Sequence, residues 1–345
     1  MNLAKSYEHI FSPGADGSNV IRSPGILTFM HAPAVNPEAK DLKEAKALFA
    51  FLGVPYDEGN IGKPGSVGGP HAMREASSQY FPYMFEHKVD LFECCQIVDC
   101  GDVGLGASNP TRAHERIYDC VKNILDGGAV PILCGGDHSV SIPAARALSD
   151  HLGAKKKMGY LNFGAHLDMA DSWGGEKITS VSAMARATEL PNVDVKNVAH
   201  VGARNCLNPK DFIDLAEERG VRYFPMWEII DRGIEPVVED AANLVWDGTD
   251  SQYVTFNMNV MDASCAPGVT APEPAGLEAR EVLRAARVVG GRETVGVIEI
   301  AELCPIHDSS LITSKLAVCI VHQILGMLAV GQGCQVDPSV RREDV

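Results

Sequence analysis

Short, continuously apolar runs recur along the chain, separated by longer stretches in which apolar positions return every three or four residues. The first run covers 47–54 and is closed by Pro55. Later ones cover 96–99, 129–133, 158–162, 198–201, 253–256 and 294–300. Helical spacing is clearest over 111–126, 142–152, 209–219 and 278–289. Strands without polar alternation are buried on both faces, and helices between successive strands imply a parallel sheet. The pattern therefore predicts an α/β chain, with no repeat of fixed period and no internal linker. Residues 1–45 are rich in turn signals, including Ser12-Pro13-Gly14, Ser23-Pro24-Gly25 and Asn36-Pro37. They read as an N-terminal arm or extension, and 46–345 as the α/β domain. The apolar stretch 316–330 is broken by His322, Gln323 and Gly326 and is shorter than the roughly 18 residues a membrane span needs, so it reads as a buried helix.

Composition narrows the function classes. With 345 residues, 46% hydrophobic, there is ample material for a large core. A formal net charge of −15 would be repelled by nucleic acid and by anionic membranes, so neither is expected as a partner. The first twenty residues lack a basic start and an apolar block, which points to a cytoplasmic protein. The ten cysteines show no regular spacing and read as mostly buried thiols in a reducing compartment, not as a disulfide framework.

The candidate chemistry falls just after predicted strands, where loops leave their carboxyl ends. Gly135-Gly-Asp-His-Ser139 follows one strand, Gly164-Ala-His-Leu-Asp168 a second, and Asn257-Met-Asn-Val-Met-Asp262 a third. Alone, the first box reads as a tight turn with a hydrogen-bonded carboxylate. His166 and Asp168, two apart on an extended segment, point the same way and can share one site with His138.

Together these boxes resemble those of the ureohydrolases, the family of arginase and agmatinase. Matching flanks are Lys63-Pro-Gly65, Gly69 to Ser77, Pro267-Gly268, Glu273-Pro-Ala-Gly276, and Glu302-x-x-Pro305-x-x-Asp308 with Thr313, in order from about residue 47 to about 330. The resemblance implies a three-layer α/β/α fold around a mostly parallel sheet. It also implies two manganese or nickel ions that activate a shared hydroxide against a guanidinium carbon. Of the six ligands the resemblance calls for, His138, His166 and Asp168 remain. Gly164, Asn257 and Asn259 stand where the family has aspartates, and 164 and 257 are the bridging positions. One carboxylate is left of four. Ser180-Val181-Ser182 aligns with a segment whose histidine relays protons, so Val181 replaces that group. Glu302 stands where the family holds the guanidinium; a structural ion pair is its other reading. Asp137 and Glu302 line the remnant pocket, and no residue is expected to be catalytically competent. Cys134 and Cys265 lie nearby and read as buried thiols, while His71 and His307 read as loop residues without partners.

Three functions follow as expectations. The first is a non-catalytic, metal-ligand-deficient subunit, without a cofactor of its own. It would complete a hetero-oligomer, of trimer or hexamer type, with an active paralogue that carries two metals and hydrolyses a guanidino or biguanide compound. The second is an agmatinase-like hydrolase of a guanidino compound with an altered site, holding one divalent manganese or nickel ion weakly. The third is a binding protein that senses a cation through Asp168 and Glu302.

Overall fold

A computed structural model describes residues 27–105 and 109–334, together with the backbone at 11–13 and 19–21. Eight strands form its central sheet: β1 (Phe49–Gly53), β2 (Ile97–Asp102), β3 (Val130–Cys134), β4 (Met158–Phe163), β5 (Val193–Ala203), β6 (Arg222–Pro225), β7 (Ser251–Asn257) and β8 (Val295–Ala301). They lie in the order β2-β1-β3-β8-β7-β4-β5-β6, and every neighbouring pair is parallel. The mostly parallel sheet expected from the apolar runs is thus wholly parallel in this sheet. Strands β1, β4, β7 and β8 are buried along their whole length, as a sheet covered on both faces requires.

The covering layers are α1 (Ala39–Ala45), α2 (Gly69–Ser77), α3 (Leu91–Cys95), α4 (Pro110–Asp126), α5 (Ser141–Leu152), α6 (Ala183–Ala187), α7 (Lys210–Arg219), α8 (Met226–Arg232), α9 (Ile234–Trp246), α10 (Ala279–Gly290) and α11 (Ile312–Gly331). Side chains of α2, α3 and α8 to α11 build the apolar core on one face. Those of α1 and α4 to α7 build the other. The result is the expected α/β/α sandwich. Helix α11 is long and apolar enough to span a membrane, yet its side chains from Leu316 to Leu325 are largely buried between α10 and α2.

Residues 27–45, assigned above to an extension, pack onto the sheet from Phe29 onward; the rest of that segment lies largely outside the described residues. The Phe29 ring stacks on Phe51 at 4.4 Å, and its backbone N–H donates to Asp99 at 2.6 Å. Asp99 also takes a two-pronged bond from Arg74, at 2.8 and 2.9 Å. The cysteines depart from expectation at one pair. Cys94, at the end of α3, is disulfide-bonded to Cys334, just past α11, with their Cα atoms 6.0 Å apart. A separation of 240 residues leaves no spacing signal in the sequence.

Candidate functional site

Strands β3, β8, β7 and β4 are consecutive neighbours at the middle of the sheet, and the loops at their carboxyl ends carry the three boxes and Glu302. That is where open parallel sheets gather chemistry. The first loop is set by close backbone contact. A Cβ on Gly136 would lie 1.6 Å from the Tyr56 carbonyl oxygen, so only glycine fits. Asp137, fully buried, accepts from the backbone N–H of Gly59 at 2.9 Å and of Ser139 at 2.8 Å. Burial pushes its pKa up to about 7, against the bonds from Ser139. Asp137 therefore fastens the 57–60 loop to the box, as its turn reading anticipates.

Around this anchor the positions at which the resemblance places metal ligands come together. His138 Nδ1 bonds Asp168 Oδ2 at 2.7 Å, with Asn257 Nδ2 3.3 Å from the same nitrogen and the Thr255 hydroxyl 3.3 Å from Nε2. Asn259 Oδ1 accepts from the Ala165 N–H at 2.9 Å, which orients the amide. Its Nδ2 then donates to Glu302 Oε2 at 3.0 Å and to His166 Nδ1 at 3.2 Å. Thr270 donates to the same Glu302 oxygen at 2.8 Å. Asp168 and Glu302 both hold a positive φ, 48° and 62°, a costly backbone for residues other than glycine.

The electrostatics follow from burial and these bonds. Burial opposes a charge on His138, but its bond to Asp168 and the charges of Asp168, Glu299 and Glu302 raise its pKa to about 9. Burial raises the pKa of Glu302, and the nearby Asp168 adds to it.

Position 164 has no side chain, and its neighbourhood is filled by residues the sequence did not flag. His200, fully buried in the middle of β5, donates from Nε2 to the Gly164 carbonyl at 3.0 Å. Its Nδ1 takes the Asn162 amide at 2.9 Å. Burial lowers the His200 pKa to about 4. Arg204, at the end of β5, was also missed. It donates to the backbone carbonyls of Gly202, Asn259, Val260, Met261, Glu273 and Pro274, holding the loop that presents Asn259. The only sequence signal for either is a polar residue inside or just beyond an apolar run.

Two divalent cations do not fit this donor set. Hard divalent ions need anionic oxygens. At the six positions where the resemblance places ligands one carboxylate is present, Asp168, and its Oδ2 already bonds His138. The Nδ1 of His166 faces an amide N–H. Among the described residues, no group of three His, Cys, Asp or Glu side chains is placed to hold a metal ion. The other candidates stay apart from the cluster's hydrogen bonds. Cys134 is buried at the end of β3, and burial raises its thiol pKa well above the ordinary range. Cys265 is half-buried beside the Asp262 carbonyl, while His71 and His307 are exposed. Val181 is half-buried, and its carbonyl accepts from Ala170.

Comparison with known proteins agrees with the family resemblance and the fold. The arginase family model matches residues 47–326. Guanidinopropionase of Pseudomonas aeruginosa is 28% identical over 316 residues, covering 91% of this chain and 95% of that protein. Proclavaminate amidino hydrolase from Streptomyces clavuligerus superposes with a TM-score of 0.80 at 25% identity, over 90% of this chain and 100% of that one. Formiminoglutamase of Trypanosoma cruzi, solved with Mn2+, gives a TM-score of 0.76 at 24% identity, over 85% and 99% of the two chains.

Proposed function

From the premise that the chain belongs to the arginase family, we propose that it is a metal-ligand-deficient subunit which supports a guanidino- or biguanide-hydrolysing complex. Its partner is a metal-competent paralogue, in an arrangement of the metformin hydrolase type. The observation that carries this reading is the bonding of the ligand positions to one another. His138 is spent on Asp168, and His166 and Glu302 share Asn259. Paired divalent ions generate a nucleophile where carboxylates balance their charge, and Gly164, Asn257 and Asn259 supply none. What its own residues do is hold the carboxyl-edge loops in the family's shape. Asp137 pins one loop, Arg204 another, and Glu302 with Thr270 a third.

A second reading draws on the relatives, whose names are those of guanidino-compound hydrolases: an agmatinase-like enzyme with one divalent ion at an altered site. Turnover assays separate the two. The chain alone, supplied with manganese or nickel, should release no urea or amine from guanidino acids, agmatine or biguanides. Co-expressed with the ureohydrolase paralogue of its own genome, it should co-purify and raise the paralogue's activity. Turnover by the chain alone would contradict the proposal, as would a paralogue indifferent to it.

A further inference from the structure

We propose that His200, braced by Asn162, is the positioning residue that closes the space of the missing carboxylate at 164. This extends the metal-free reading above and rests on it. The three replaced positions are not alike. At 257 and 259 an amide has nearly the shape of a carboxylate, so Asp fits there without steric change. Gly164 differs in shape as well as charge.

A Cβ on Gly164 would stand 3.3 Å from His200 Cε1, 3.3 Å from the His166 carbonyl oxygen and 3.6 Å from Asn162 Nδ2. A methyl group there already asks its neighbours to give by a few tenths of an ångström. A carboxylate adds a further carbon and two oxygens that must be housed around that Cβ. The imidazole is fully buried and both its nitrogens are engaged, Nε2 with the Gly164 carbonyl at 3.0 Å and Nδ1 with Asn162 at 2.9 Å. It meets position 164 with a carbon edge, so a carboxylate there would find no donor in it. Turning the ring to make room breaks two buried hydrogen bonds and orphans the Gly164 carbonyl. Replacing the three lost carboxylates alone therefore does not rebuild the centre; His200 has to go as well.

The test is a ladder of variants, scored by manganese bound per chain after dialysis and by melting temperature with and without the metal. Asn257→Asp/Asn259→Asp should bind at most about one ion, and adding Gly164→Asp should leave that number unchanged. Adding His200→Ala to the triple variant should raise it to about two ions per chain, with a manganese-dependent rise in Tm. In the otherwise unsubstituted protein, His200→Ala should bind no metal, which separates clearance at 164 from general loosening. A thermodynamic cycle of Gly164→Asp against His200→Ala, without metal, gives a second readout. Gly164→Asp should lower Tm more with His200 present than in the His200→Ala background. Additive effects would overturn the proposal. So would two ions in the triple variant, or a quadruple variant as empty and unstable as the triple. Metal bound by the unsubstituted chain would count against the function proposed above, and not against this role of His200.

Discussion

Asn259 shows how one amide changes what a site can hold. A carboxylate at its place would add charge beside Glu302; the amide instead donates to Glu302 and His166 at once. Beside it Asp168 bonds His138, a buried pair whose side chains are 4% and 0% exposed. Removing one partner of such a pair strands the other. Asp168→Asn should therefore cost about 3–5 kcal/mol in a chelator-treated chain, measured by urea unfolding. The pH dependence has a defined sign. The His138 pKa is raised from 6.5 to about 9 in the folded chain, so the pair's contribution is complete below the unfolded value and lost as pH rises through about 9. The gap between the two proteins should narrow in that window, and a constant gap from about pH 6 to 10 would contradict it. At this scale the meeting of His138, His166, Asp168, Asn257 and Asn259 at one place was legible because each belongs to a short box. His200 was not, since nothing in the run 198–201 says that its one polar residue faces position 164.

Elements carry the next layer. Most strands lie within a residue or two of their apolar runs, because burial on both faces leaves a continuous signal. Strand β6 left none: Arg222–Pro225 is a four-residue edge strand, exposed at its first residue and closed by proline. The loop after β7 was legible as chemistry but not as structure, because its support comes from Arg204, just past β5, donating to the loop's backbone carbonyls. Arg204→Ala should cost about 2–5 kcal/mol through orphaned carbonyls. Hydrogen exchange should accelerate over 258–277 while β1 and β3 stay protected. Arg204→Lys should rescue little, because a point charge cannot reproduce the fork. Uniform acceleration across the sheet would show that Arg204 serves global stability and not this loop.

For the whole molecule, two features set the response to conditions. His114, His200 and His322 are buried, and burial lowers each pKa to about 4. Their folded pKa values lie below the unfolded 6.5, so the unfolded chain takes up protons first as the solution is acidified. Their stabilisation is present above about pH 6.5 and is lost as pH falls towards about 4, on the order of 1–3 kcal/mol each. Replacing His322 by Gln should flatten the acid limb of the stability curve; an unchanged slope would exclude its part. The Cys94–Cys334 bond joins α3 to the end of α11. Its reduction, or Cys334→Ser, should cost about 2–5 kcal/mol if it limits the unfolded chain, seen as a lower Tm in dithiothreitol. The function proposed above requires an arginase-family fold around a site that holds no metal pair. Elemental analysis of manganese and nickel in the purified chain, with Tm before and after chelation, tests it most directly. The expected result is well under about one ion per chain and a Tm indifferent to chelator. About two ions per chain, with a Tm that falls when they are removed, would contradict it.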